Sequence, residues 1–309
     1  MAYLILVAIV IFAVTTVVAL SIHRNGSKRG SGKQQRRPAH LLVVLGSGGH
    51  TEEMLSMLRH ARLDPRAYPM RTYIVSSGDS FSARKAIEFE TQLKEQTIRL
   101  SAKDASNTSV RAARGIRNIN NDDIIVLPKP ATPLAPDSSK PHDRYTILTV
   151  PRARKVHQSF LTAPLSTLQC LGFCLLILLG KHPDQMTPKL AVDRQSQASF
   201  LIYPDIILTN GPGTGVCVVI AARFLRIIDS LVHRLLPLKE ERSSESQGSG
   251  TQVYLRTIFI ESWARVTTLS LSGKILLPLV DRFLVQWEGL SGYSGLFRGK
   301  AEYVGTLLS

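Results

Sequence analysis

Only three of the 309 residues are cysteine, and Cys170, Cys174 and Cys217 all stand in apolar surroundings. That excludes a disulfide framework and marks the thiols as core side chains of a reducing compartment. No group of His, Cys, Asp and Glu has the spacing of a metal site, and the nucleophile pattern G-x-S-x-G is missing. There is no internal repeat. Aromatic residues make up 6% of the chain and no nucleic-acid-binding module is recognisable, which argues against nucleic acid as a partner despite a net charge of +15. With 44% hydrophobic and 20% charged residues the chain is neither disordered nor a low-complexity polymer. Charge of one sign is missing too, for the first 37 residues contain no acid.

What fills that acid-free stretch sets the class. Ala2 to Ile22 is 21 residues without a charge. As a helix it would be ~31 Å long, about one hydrocarbon thickness, and it predicts a single signal-anchor. Arg24, Lys28, Arg29, Lys33, Arg36 and Arg37 follow it, so the positive-inside rule puts the N-terminus in the lumen and the remainder in the cytosol. Residues 23–38 read as a basic flexible tether near anionic lipid. The tether takes six of the +15 charges and leaves +9 on residues 38–309, which fits anionic lipid or a phosphorylated substrate.

Beyond the tether, short apolar runs alternate with helical stretches. His40–Leu45, Arg71–Ser76, Tyr145–Val150, Asp205–Thr209, Ile258–Glu261 and Phe283–Gln286 are strand candidates. Helices are expected over Thr51–Arg62, Phe81–Gln92 and Val216–Leu225. This is the pattern of an α/β domain over 39–309 with a Rossmann-like parallel sheet and helices on its faces. Stretches near 102–144, 181–200 and 239–252 look inserted. Phe160–Leu179 is uncharged, but a second span there would put the third and fourth strands on opposite sides of a membrane. It is expected to pack on the sheet and dip into the lipid interface.

Two glycine turns carry the chemistry. Gly46-Ser47-Gly48-Gly49-His50-Thr51 lies between a strand and a helix, where backbone N–H groups bind phosphate or diphosphate. It is not the dinucleotide fingerprint: Thr51 holds the place of the third glycine and Arg66 that of the ribose-binding acid. Asn210-Gly211-Pro212-Gly213-Thr214 repeats the arrangement after the fourth strand candidate, so both turns face one edge of a parallel sheet. Arg152 and Arg154 follow the third strand and either put cations on that edge or form a lipid-facing patch. His50 and Glu52 are the candidate catalytic residues. His50 either works on a sugar hydroxyl or donates to a phosphate, and Glu52 and Glu53 also suit the positive end of the helix that they open. Glu261, Trp263 and Arg265 form a mixture that lines sugar or interface pockets.

The anchor, LGSGGHTEEM, VPRARKVHQS, TNGPGTG and ESWARVTTLSLSGKILLPLVDRFLVQW together resemble the membrane-anchoring subunit of the eukaryotic UDP-N-acetylglucosamine transferase of asparagine-linked glycosylation. The resemblance covers most of the chain in order, apart from the three insertions. That family is similar to the N-terminal half of the bacterial peptidoglycan N-acetylglucosaminyltransferase. The resemblance implies the acceptor half of a glycosyltransferase-B fold, active only with a cytosolic catalytic subunit that carries the UDP-GlcNAc-binding half. The complex would add the second GlcNAc to dolichyl-diphospho-GlcNAc at the endoplasmic reticulum membrane, with no cofactor and no metal. Gly46, Ser47, Gly48, Gly49, Thr51, Asn210, Gly211, Gly213, Thr214, Arg152 and Arg154 would bind the acceptor diphosphate, and the segment ending AEYVGTLLS would dock the partner. The alternative is a purely non-catalytic membrane scaffold for a self-sufficient glycosyltransferase.

Overall fold

The computed structural model describes residues 39–115, 144–154, 163–185, 204–211, 213–235, 255–294 and 299–307. The anchor at 2–22, the tether at 23–38, the 239–252 stretch and most of the other two insertions lie outside these residues. Seven parallel strands form one sheet: β1 His40–Val44, β2 Met70–Ser76, β3 Arg144–Val150, β4 Ile206–Thr209, β5 Arg256–Ile260, β6 Arg282–Val285 and β7 Ala301–Tyr303. Six stand where the alternation predicts strands. The seventh, AEY, is too short and too polar to show as an apolar run. Helices α1 Gly49–His60, α2 Ser80–Gly115, α3 Ala163–Leu178, α4 Gly213–Leu235 and α5 Leu271–Leu276 connect them. The α2 helix continues well past Gln92, so residues 102–115, the first part of the 102–144 stretch, belong to that helix.

The sequence of β1, HLLVV, explains its central place. Successive side chains point to opposite faces of a strand, so the unbroken apolar run Leu41–Val44 needs cover on both. Leu42 and Val44 pack with Cys170, Cys174 and Ile177 of α3 and Cys217, Val218 and Ala221 of α4. Leu41 and Val43 pack on the other face with Met54, Leu55 and Leu58 of α1 and Phe89 and Leu93 of α2. The α3 helix therefore lies on the sheet, with Pro164 in its first turn, where a missing N–H costs nothing. Its outer side is open, with Leu165 and Leu176 exposed. Among the described residues, 163–185 is the one helical stretch long and apolar enough to cross a membrane, at mean hydropathy 1.8.

The strand order is β3-β2-β1-β4-β5-β6-β7. The chain steps outward from β1 through β2 to β3, then returns to the other side of β1 for β4. Loops leaving β1 and β4 therefore part in opposite directions, which opens a crevice at the carboxyl ends of these two strands. Both glycine turns are those loops. A buried ion pair holds the β2 side: Arg71 donates from Nε and Nη2 to the two oxygens of Glu90 on α2, each at 2.7 Å, and Tyr73 donates its hydroxyl to the same carboxylate at 2.6 Å.

Candidate functional site

Gly48 caps α1 with φ 60°, and no side chain completes the cap. Its carbonyl accepts from Thr51 N at 3.1 Å and Glu52 N at 3.4 Å. The N–H groups of Gly49 and His50 precede the first intrahelical bonds and carry the helix's positive end to the crevice, with Ser47, Gly48 and Gly49 exposed. The second turn is tighter. Gly211 has φ 82°, and a Cβ there would lie 2.8 Å from His50 Cε1, so the imidazole packs on a bare backbone. Asn210 Nδ2 donates to the His50 carbonyl at 2.9 Å, which joins the two turns directly.

The structure sorts the other expected residues by position. Thr51 faces inward and is fully buried; its hydroxyl donates to the Gly46 carbonyl and meets Ser82 Oγ at 2.7 Å. Thr214 is also buried, 3.0 Å from Ser76 Oγ. These two hydroxyls therefore bond within the protein, where they hold the loops in place. Glu52 turns toward α2, where Lys85 Nζ lies 3.2 Å from it. Arg152 donates from Nε to the Ser77 carbonyl at 3.0 Å. The segment after β3 reaches across to the second turn, since a Cβ on Gly213 would meet Ala153 Cβ at 3.4 Å. Arg154 is exposed on that same segment. Gly46, Gly48, Gly49, His50, Asn210, Gly211, Gly213 and the arginine segment thus share one edge.

Glu53 is the residue whose part in this arrangement the sequence reading misses. It points beneath the crevice, not into solvent. Trp263 N donates to Oε1 at 2.5 Å and Gln286 Nε2 at 3.3 Å, Asn210 Nδ2 donates to Oε2 at 3.4 Å, and His50 Nδ1 stands 3.6 Å from Oε2. Burial pushes this carboxyl up, but the partners His50, Trp263 and Ser262 outweigh it and hold Glu53 below the usual carboxylate range. The signal was present in the i,i+3 spacing of His50 and Glu53 on one helix face. Beside it, Trp263 and Trp287 form a tilted pair with ring centroids 5.8 Å apart, and Trp263 is 46% exposed. Glu261, by contrast, is buried and accepts from Ser270 N and Oγ at 3.1 Å each, with burial raising its pKa against those bonds. It fixes the start of α5. Among the described residues no group of three His, Cys, Asp or Glu side chains could hold a metal ion.

The arrangement offers backbone donors from two helix starts, flanking cations, an imidazole and the exposed indole of Trp263. That set suits a diphosphate with a sugar attached. Comparison with known proteins gives the family. The family described as oligosaccharide biosynthesis protein Alg14 like matches residues 41–127 and 128–307. The chain is 44% identical over 268 residues to UDP-N-acetylglucosamine transferase subunit alg14 of Aspergillus fumigatus, covering 82% of this chain and 100% of that protein. It is 30% identical to the Schizosaccharomyces pombe protein of the same name over 97% of both chains. Against the Homo sapiens subunit ALG14 the identity is 27%, over 82% of this chain and 78% of that one. No solved structure matches. On the extent of these matches, the chain belongs to the Alg14-like family of oligosaccharide biosynthesis proteins.

Proposed function

We infer that this chain is the Alg14 subunit of a UDP-N-acetylglucosamine transferase in N-glycan precursor synthesis, and that it supplies the acceptor-binding half of the active site. The observation that carries the acceptor reading is the meeting of two glycine turns at the β1/β4 crevice, joined by Asn210 and the His50 carbonyl. In this reading the acceptor is dolichyl-diphospho-GlcNAc. Backbone N–H groups at the starts of α1 and α4, with Arg152 and Arg154, take up its diphosphate charge. His50 either donates to a phosphate oxygen or receives the proton of the attacking sugar hydroxyl. The sugar donor is brought by a cytosolic catalytic subunit, because one sheet provides one half of a two-domain cleft. Residues 2–22 anchor the chain in the endoplasmic reticulum membrane, with the nuclear outer membrane as a second location. The tether at 23–38 and the domain at 39–309 then lie on the cytosolic side, where α3 meets the lipid interface.

The deciding experiment measures GlcNAc transfer from UDP-GlcNAc to dolichyl-diphospho-GlcNAc in membranes bearing this chain, with and without the catalytic subunit. Transfer is expected only with both. Full transfer by a membrane-tethered partner alone would reduce this chain to a scaffold. Within the assembled enzyme, Gly48→Asp combined with His50→Ala is expected to remove activity, since an acid in the loop repels the diphosphate; full activity would count against the loop. Topology has its own check. Asn107-Thr108-Ser109 is a glycosylation acceptor triplet, and a cytosolic domain leaves it unmodified. A glycosidase-sensitive shift abolished by Asn107→Gln would place the domain in the lumen.

A further inference from the structure

We propose that Glu53 is a positioning residue for His50: its carboxylate holds the imidazole through Nδ1 and leaves Nε2 as the nitrogen that the acceptor meets. The proposal rests on the functional reading above and adds a residue to it. A carboxylate in the first turn of a helix needs no partner beyond the helix dipole, and Glu52 already serves there at the surface, beside Lys85. Glu53 is built differently. Its side chain is 9% exposed and draws on donors from three other elements, namely Asn210 after β4, Trp263 after β5 and Gln286 after β6. Three fixed donors leave the carboxylate little freedom to rotate, so His50 is presented with an oxygen at a set place.

The imidazole is constrained on its other side by Gly211. Its Nδ1 is buried and has no hydrogen bond, 3.6 Å from Glu53 Oε2, whereas the side chain as a whole is 40% exposed. A shift of a few tenths of an ångström turns that separation into a hydrogen bond, and catalytic hydrogen bonds commonly tighten when substrate arrives. Nδ1–H facing Glu53 fixes the tautomer in which Nε2 carries a lone pair. A carboxylate that sets the tautomer of an imidazole from behind is the recurrent way of preparing such a base or donor. The same carboxylate holds the Trp263 backbone, so the imidazole and the exposed indole keep a fixed relation.

A double-mutant cycle in the full chain, assembled with its catalytic subunit in membranes, tests this. Glu53→Gln, His50→Ala and the double variant are compared for GlcNAc transfer, with thermal unfolding measured on each. Glu53→Gln is expected to cost about 10- to 100-fold in kcat with little change in the KM for UDP-GlcNAc. The double variant should be no worse than His50→Ala alone, because each removes the same interaction. Glu53→Asp keeps the charge but retracts it; it should be impaired yet equally non-additive with His50→Ala, and it serves if the glutamine variant does not fold. Losses that multiply in the double variant would mean that Glu53 acts on the fold and not through His50. Full activity of Glu53→Gln beside an impaired His50→Ala would overturn this proposal and leave the glycine-turn reading intact. A neutral His50→Ala would overturn the role given to His50, and this proposal with it.

Discussion

Gly211→Val in the assembled enzyme is expected to lower transfer by about 100-fold or more while the sheet still forms. The side chain would enter the space of the His50 ring, whose nearest atom stands 2.8 Å from where a Cβ would lie. Two penalties combine. A β-branched residue at φ 82° costs about 1–2 kcal/mol in backbone strain, which the domain can bear. The imidazole must then leave its place, and displacing a reacting or orienting group by about 1 Å can cost about 100-fold in rate. Transfer assays and thermal unfolding on the same preparation separate the effects. Activity near wild type would show that the ring's seat on Gly211 does not matter to the chemistry.

Glu90→Ala should act in the opposite way, through stability and not through the site. Arg71 is 1% exposed and gives two of its guanidinium nitrogens to Glu90, with Nη1 donating to the Tyr68 carbonyl at 2.8 Å. Removing the carboxylate leaves a buried cation without its counter-charge and a buried phenol without its acceptor. Breaking a buried pair from one side costs about 3–5 kcal/mol. At about 2–4 °C per kcal/mol for a domain of this size, the melting temperature should fall by roughly 6–20 °C. The paired change Arg71→Met with Glu90→Leu should recover much of that loss, because neither partner is then stranded. A Glu90→Ala variant melting within a degree or two of the parent would show that water reaches Arg71.

The fold was readable wherever burial on both faces wrote an unbroken apolar run. β1 and β4 announced themselves as HLLVV and IILT, and each glycine turn followed at once. β7 did not, because an edge strand of three residues buries only Ala301. The reach of α2 to Gly115 was hidden by its polar character, since a helix whose far end lacks an apolar stripe looks like a loop in sequence. At the site, residue types were legible and directions were not. Thr51 and Glu52 are neighbours of His50 in sequence, yet α1 turns one into the core and the other toward Lys85. The carboxylate beside the imidazole is Glu53, and its partners Asn210, Trp263 and Gln286 are brought to it from far along the chain by strands that only the sheet order places side by side.

That order also fixes when the crevice can exist during synthesis. β1 is paired on one side by β2, which follows it closely, and on the other by β4, just before which Asp205 accepts from His40 N across 165 residues. At about 5–20 residues per second, β1 leaves the ribosome roughly 10–30 s before its second neighbour. For that interval a central strand with four successive apolar residues presents an open edge, the geometry that recruits chaperones or pairs with other chains. The crevice between the two glycine turns can therefore form only after β4 has emerged. A product truncated before β4 would be a sticky half-sheet and not a weaker binder.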